Sequence, residues 1–210
     1  MADEYIKGST AVKPNERYRY SDYLKWPDDE RWEIIEGEAW DMSPAPGTSH
    51  QILVLKLAYV LSSYLEGKKC TAIVSPFDVR LPNPEEDSED NPDTVVQPDL
   101  SIICDPSKLD EKGCKGAPDI VVEILSQSTA FKDETTKFKI YEKHGVKEYW
   151  IINPETHTVM MYFLNGKEFG KPEYFKRTEI LTSRVLTDLE ITLEEVFSEL
   201  DFLETLPKER

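Results

Sequence analysis

The stretch Val95-Val96-Gln97-Pro98-Asp99-Leu100-Ser101-Ile102-Ile103 sets an aspartate into an apolar, β-branched run, and Ile120-Val121-Val122-Glu123-Ile124-Leu125 does the same with a glutamate. Runs of this composition predict strands buried on both faces, as in a sheet covered by helices. An ionised carboxylate in such a strand is costly unless a cation or hydrogen-bond donors compensate it. A divalent metal is one such compensation. Further along, Asp133-Glu134-Thr135-Thr136-Lys137-Phe138-Lys139-Ile140-Tyr141 predicts a helix that carries Asp133, Lys137 and Tyr141 at i, i+4 and i+8 on one face. Two acids and a lysine can therefore converge.

Outward from these runs, residues 50–66 predict a helix capped by Ser49 or Thr48 and stopped by Gly67. Its apolar face of Ile52, Leu53, Leu57, Val60, Leu61, Tyr64 and Leu65 suits packing on a sheet. Strands are expected at 71–80, 95–103, 119–125 and 148–152, then a meander through 159–163, an Asn165-Gly166 turn and 174–178. Thr192-Leu193-Glu194-Glu195 reads as a capping box. Residues 31–41 read as a hairpin turning at Glu36-Gly37, and the register with Ile35 opposite Glu38 puts Glu33, Ile35, Glu38 and Trp40 on one face. Residues 1–16 lack periodicity and read as a mobile arm, leaving 17–210 as a single domain. The element order is that of an α/β core with antiparallel additions.

The 210 residues are 39% hydrophobic and 31% charged, enough for one sizeable core. No apolar run is long enough for a transmembrane helix, and the first residues lack a signal-peptide pattern, so a soluble cytoplasmic protein without membrane contact is expected. Cys70, Cys104 and Cys114, odd in number and widely spaced, suit reduced thiols better than a disulfide framework. With His50, His144 and His157 equally scattered, zinc has little support. The net charge of −16, from 41 acids and 25 bases, argues against nonspecific binding of nucleic acid through a basic surface. Residues 82–93 hold six of the acids and read as a solvated loop, whereas Lys132, Lys137, Lys139, Lys143 and Lys147 are the lysines from which a phosphate-contacting face would draw.

Several ordered segments resemble the Uma family of restriction-endonuclease domains: Arg31-Trp32-Glu33-Ile34-Ile35-Glu36-Gly37-Glu38, Met42-Ser43-Pro44, His50-Gln51, Gln97-Pro98-Asp99-Leu100, Val122-Glu123-Ile124-Leu125-Ser126, Lys137 with Tyr141, and residues 145–154. The resemblance spans about residues 18–197. It implies the PD-(D/E)XK nuclease superfamily and a restriction-endonuclease-like fold, a mixed central sheet flanked by helices with added antiparallel hairpins. By this resemblance Pro98-Asp99 is the PD element, Glu123 the second acid, and His50 opens the first core helix. The superfamily lysine expected two residues after the second acid is Leu125 here, and Lys137 from the next helix is the candidate replacement.

The chemistry of such a site follows from its residues. Phosphodiester hydrolysis needs an in-line hydroxide and charge neutralisation on the phosphoryl oxygens, which Mg²⁺ (or Mn²⁺) provides from hard oxygen ligands. Asp99 and Glu123 supply carboxylates, with the Ile124 carbonyl as a third metal ligand, and Lys137 orients water or stabilises transition-state charge. Glu33, Glu38 and His50 are additional candidates for the metal shell or for positioning water, with Tyr141 beside them. The reading is a Mg²⁺-dependent endonuclease acting on nucleic acid, DNA first, with a homodimer suited to cutting both strands. Structural alternatives stand beside it: Asp99 satisfying backbone donors at a strand bend, Glu123 and Lys137 as a non-catalytic ion pair, Tyr141 as a packing residue. Two rival functions remain. A catalytically silent binding or regulatory module is favoured by Leu125 and the net charge, and an acid/base enzyme acting on a glycosidic bond would need no metal.

Overall fold

The computed structural model describes residues 12–13, 15–27, 29–42, 45–83, 88, 90–126, 130 and 132–205. In chain order the strands are β1 (Trp32–Ile35), β2 (Glu38–Asp41), β3 (Thr71–Val74), β4 (Val79–Arg80), β5 (Val95–Val96), β6 (Leu100–Ile103), β7 (Leu109–Asp110), β8 (Gly113–Lys115), β9 (Ile120–Ile124), β10 (Glu148–Asn153), β11 (Thr158–Asn165), β12 (Glu168–Phe169), β13 (Glu173–Lys176), β14 (Ile180–Thr182) and β15 (Glu190–Thr192). The α-helices are α1 (Tyr20–Tyr23), α2 (Thr48–Leu65), α3 (Phe138–His144) and α4 (Leu193–Phe197), and a π-helical turn over Lys132–Lys137 leads directly into α3. Among the described residues no helix is long and apolar enough to cross a membrane. The chain forms two compact units: Met1–Ala45, Phe77–Gln97 and Ser107–Ala117 make one, and Pro46–Pro76, Pro98–Pro106 and Pro118–Arg210 the other.

The second unit is a mixed α/β layer structure whose sheet runs β12-β11-β10-β9-β6-β3, with β13 paired to β11. Only β9 and β10 are parallel, and the turn and helix between them form the crossover this requires. Alternation along the strands sends Leu100, Ile102, Ile120, Val122, Ile124, Trp150 and Ile152 to one face, where Leu53, Leu57, Leu61 and Leu65 of α2 bury them in the main core. Ser101, Val121, Glu123, Tyr149 and Ile151 point to the opposite face. There the Tyr141 ring of α3 meets that of Tyr149, with centroids 4.9 Å apart. The sheet is thus covered on both sides, which explains why all five residues of β9 are buried.

The first unit is a sheet in the order β2-β1-β5-β4-β8-β7, beside a core of Val12, Tyr18, Tyr20, Trp32, Ile34 and Val95. The expected hairpin has the expected register, Ile35 opposite Glu38, and both turn residues take positive φ, Glu36 at 49° and Gly37 at 82°, as a type I′ turn requires. Gly113 is needed for a different reason: at φ 130° a Cβ would sit 2.1 Å from the Asp78 carbonyl oxygen.

Several expectations give way. The run 95–103 is not one strand: β5 and β6 belong to different sheets, interrupted at Gln97-Pro98-Asp99 because Pro98 has no N–H for a ladder. The strand expected at 71–80 likewise splits at the cis Ser75-Pro76 bond. Helix α2 starts from Gly47, with no side-chain cap from Thr48 or Ser49, and Thr192 precedes α4 without a side-chain capping bond. The second hairpin turns at Gly166-Lys167, between the paired Asn165 and Glu168. Cys70 and Cys104 are not free thiols but a disulfide, one step beyond the Thr71–Ile103 pair of the β3–β6 ladder, while Cys114 is free and buried. Residues 1–11 and 14 of the N-terminal arm, and residues 84–87 and 89 of the acidic loop, lie outside the described residues.

A buried charge holds the segment 183–185 to β10. Glu148, 1% exposed, accepts hydrogen bonds from Trp150 Nε1 at 2.9 Å, from the backbone N–H groups of Arg184 and Val185 at 2.6 and 2.7 Å, and from Ser183 Oγ at 2.9 Å. Removing the carboxylate strands these donors in a dry interior. Glu148→Ala should therefore lower the free energy of unfolding by more than about 3 kcal/mol, read as a shift of the urea midpoint at unchanged m; a loss below about 1 kcal/mol would contradict this account.

Candidate active site

The β6–β9 ladder ends at the pair Leu100–Val122. Asp99 directly precedes the last paired residue of β6, and Glu123 directly follows that residue's partner on β9, so both acids lie at the same end of the ladder. Backbone pairing cannot continue past Pro98, and the Asp99 side chain takes over: its Oδ2 accepts the Ile124 N–H at 2.8 Å. The same oxygen lies 3.0 Å from His50 Nε2, presented from the first turn of α2. Asp99 Oδ1 has no hydrogen bond among the described residues, and the side chain is 17% exposed. The main chain of Asp99 is held as well, its carbonyl accepting the Ser75 N–H at 3.1 Å.

Glu123 is buried more deeply, at 3% exposure. Its Oε1 accepts from Lys137 Nζ at 2.8 Å and from the Tyr141 hydroxyl at 2.7 Å. Lys137 also lies 3.7 Å from Asp133 Oδ1. The π-helical turn carries Asp133 and Lys137 and α3 carries Tyr141, and all three are buried; π-helical turns often occur at functional sites. Tyr149 closes the cluster, donating to the Asp133 carbonyl at 3.0 Å. Its burial, and then the negative charges of Glu123 and Asp133, push the Tyr149 hydroxyl well above the ordinary phenol range, so it stays a donor.

Asp99, Glu123, Ile124, Lys137, Tyr141 and His50 thus gather in one unit, with Ile124 joining through its N–H. Asp133 completes the group; the i, i+4, i+8 spacing signalled it, although it was not counted among the site residues. Glu33 and Glu38 belong to the other unit. Glu33 is fully buried and its Oε1 accepts the Gln97 N–H at 2.9 Å, whereas Glu38 is exposed and pairs with Arg17 at 3.4 Å. Although they share a sheet face, burial sets them apart. Among the described residues no three His, Cys, Asp or Glu side chains form a ready-made metal cage. The oxygen donors of Asp99 and Glu123 nevertheless have the chemistry of a hard-cation site that keeps several waters.

The buried Glu123–Lys137 pair is measurable by itself. Lys137→Met leaves a carboxylate without its ammonium and should destabilise the protein by about 3–5 kcal/mol, while Glu123→Gln combined with Lys137→Met should recover most of that loss. Urea unfolding of the single and double variants checks it, and strictly additive losses would show that the two side chains are not coupled.

Comparison with known proteins bears on the family and the fold. The Uma2 family model, described as "Putative restriction endonuclease", matches residues 20–194. A protein of Synechocystis sp., slr1290, described as uncharacterized, is 24% identical over 147 residues, covering 69% of this chain and 73% of that protein. The crystal structure of a protein from Anabaena variabilis, described as a "putative nuclease belonging to DUF820", is similar in fold with a TM-score of 0.68, at 22% identity over 86% of this chain and 97% of that one. The family resemblance is borne out: the chain belongs to the Uma2 family.

Proposed function

We propose that this protein is a Mg²⁺- or Mn²⁺-dependent endonuclease that hydrolyses phosphodiester bonds of nucleic acid, DNA first, with Asp99, Glu123 and Lys137 as its catalytic residues. The observation that supports this best is that Asp99 Oδ2 accepts the N–H of Ile124, the residue next to Glu123, while Lys137 Nζ stands 2.8 Å from Glu123. Asp99, Glu123 and the Ile124 carbonyl would hold the cation. When bound, it would neutralise charge on the phosphoryl oxygens and lower the pKa of a coordinated water.

The chain's own residues prepare that site. His50 and the Ile124 N–H both engage Oδ2 of Asp99, fixing its rotamer and turning Oδ1 into the available ligand atom. Tyr141 and Lys137 fix Oε1 of Glu123 in the same way. The Lys137 ammonium is the one buried cation of this cluster among the described residues, and stabilises negative charge that develops on the phosphoryl group. With a net charge of −16 the protein as a whole repels a polyanion, so substrate binding leans on this local cation and on bound metal. The reading extends to a homodimer acting in the cytoplasm, since a two-fold pair suits a duplex.

The test is calorimetric titration of Mn²⁺ and Mg²⁺ into the wild type, Asp99→Ala and Glu123→Ala, with plasmid and single-strand cleavage in the same buffer. Binding in the wild type, lost in both variants along with metal-dependent cleavage, is the expected result. A wild type that binds neither metal would favour the silent binding or regulatory module suggested by Leu125, and would remove the hydrolytic mechanism while leaving the fold.

A further inference from the structure

Resting on that reading, the structure assigns a role to Asp133: we propose that it is a positioning residue, which holds the Lys137 ammonium between two carboxylates and so keeps Glu123 available to a divalent cation. Lys137 Nζ stands 2.8 Å from Glu123 and 3.7 Å from Asp133, with all three side chains almost wholly buried. A structural ion pair needs one carboxylate. The second adds a buried negative charge that a lone lysine does not balance, and Asp99 accepts the N–H of Ile124, the residue after Glu123.

Asp133 is also anchored from its main chain. Tyr149, on the strand beside β9, donates to its carbonyl at 3.0 Å and packs its ring against Tyr141. The residue therefore stands at ion-pair distance from Lys137 with its side chain and accepts from Tyr149 with its backbone carbonyl. Lys137 donates to Glu123 Oε1, and the Asp133 charge 3.7 Å from the same ammonium offsets part of that attraction; without it the Lys137–Glu123 pair would tighten and compete more strongly with the metal.

The experiment is Mn²⁺ titration of wild type, Asp133→Asn, Asp133→Glu, Lys137→Met and the Asp133→Asn/Lys137→Met double variant. Asp133→Asn should weaken Mn²⁺ binding about 10–100-fold, the range for a partner that orients a ligand, and Asp133→Glu should restore most of it. In the Lys137→Met background the Asp133 substitution should have no effect. That comparison also holds if Asp133→Asn alone does not fold, because the double variant removes equal and opposite charges. An equal loss with and without Lys137 would mean that Asp133 acts by its own charge, and unchanged affinity in Asp133→Asn would deny it any part; either overturns the proposal. A wild type that binds no Mn²⁺ would instead bring down the nuclease reading, and this proposal with it.

Discussion

A strand ladder cannot simply stop in a dry interior, because the next backbone donor must be satisfied. Here that donor is the Ile124 N–H and its acceptor is the carboxylate of Asp99. Pro98 ends the pairing, Asp99 replaces the missing backbone with its side chain, and the bond fixes an acid at the end of the strand next to Glu123. Much of the site hangs on this exchange. His50 reaches Asp99 only because α2 packs on the face formed by Leu100, Val122 and Trp150, and Lys137 reaches Glu123 only because α3 covers the opposite face.

The buried glutamates of neighbouring strands sit in contrasting environments. Glu148 on β10 is surrounded by neutral donors from Trp150 and residues 183–185, and it joins two stretches of chain. Glu123 on β9 has a cation and a phenol, and the same cation lies 3.7 Å from a second acid, Asp133. The first arrangement is complete. The second concentrates negative charge around one lysine, the electrostatic setting in which a divalent ion is stabilised.

Much of this was legible in the sequence because it depends on local pattern. The apolar flanks of Glu123 announced a doubly covered strand, and the four-residue spacing of Asp133, Lys137 and Tyr141 announced a shared face. The hairpin register followed from Gly37. What the sequence hid depends on partners distant along the chain. Asp99 looked like a mid-strand residue because its β-branched neighbours mask the fact that Val95–Val96 and Leu100–Ile103 join different sheets. The ligands of Glu148 lie some 35 residues onward in a segment with no motif. Cys70 and Cys104 looked unrelated because only the β3–β6 register brings them together. The π-helical turn before α3 has no sequence signature comparable to a capping residue, so an ordinary helix was the natural expectation.

The Cys70–Cys104 bond also determines the covalent topology of the molecule. Its ends are 34 residues apart, and the whole of Phe77–Gln97, which belongs to the first unit, lies inside the ring that it closes within the second. A single break of the backbone in that segment, including its acidic proline-rich stretch, would therefore yield two fragments that remain one molecule until a reductant opens the bond.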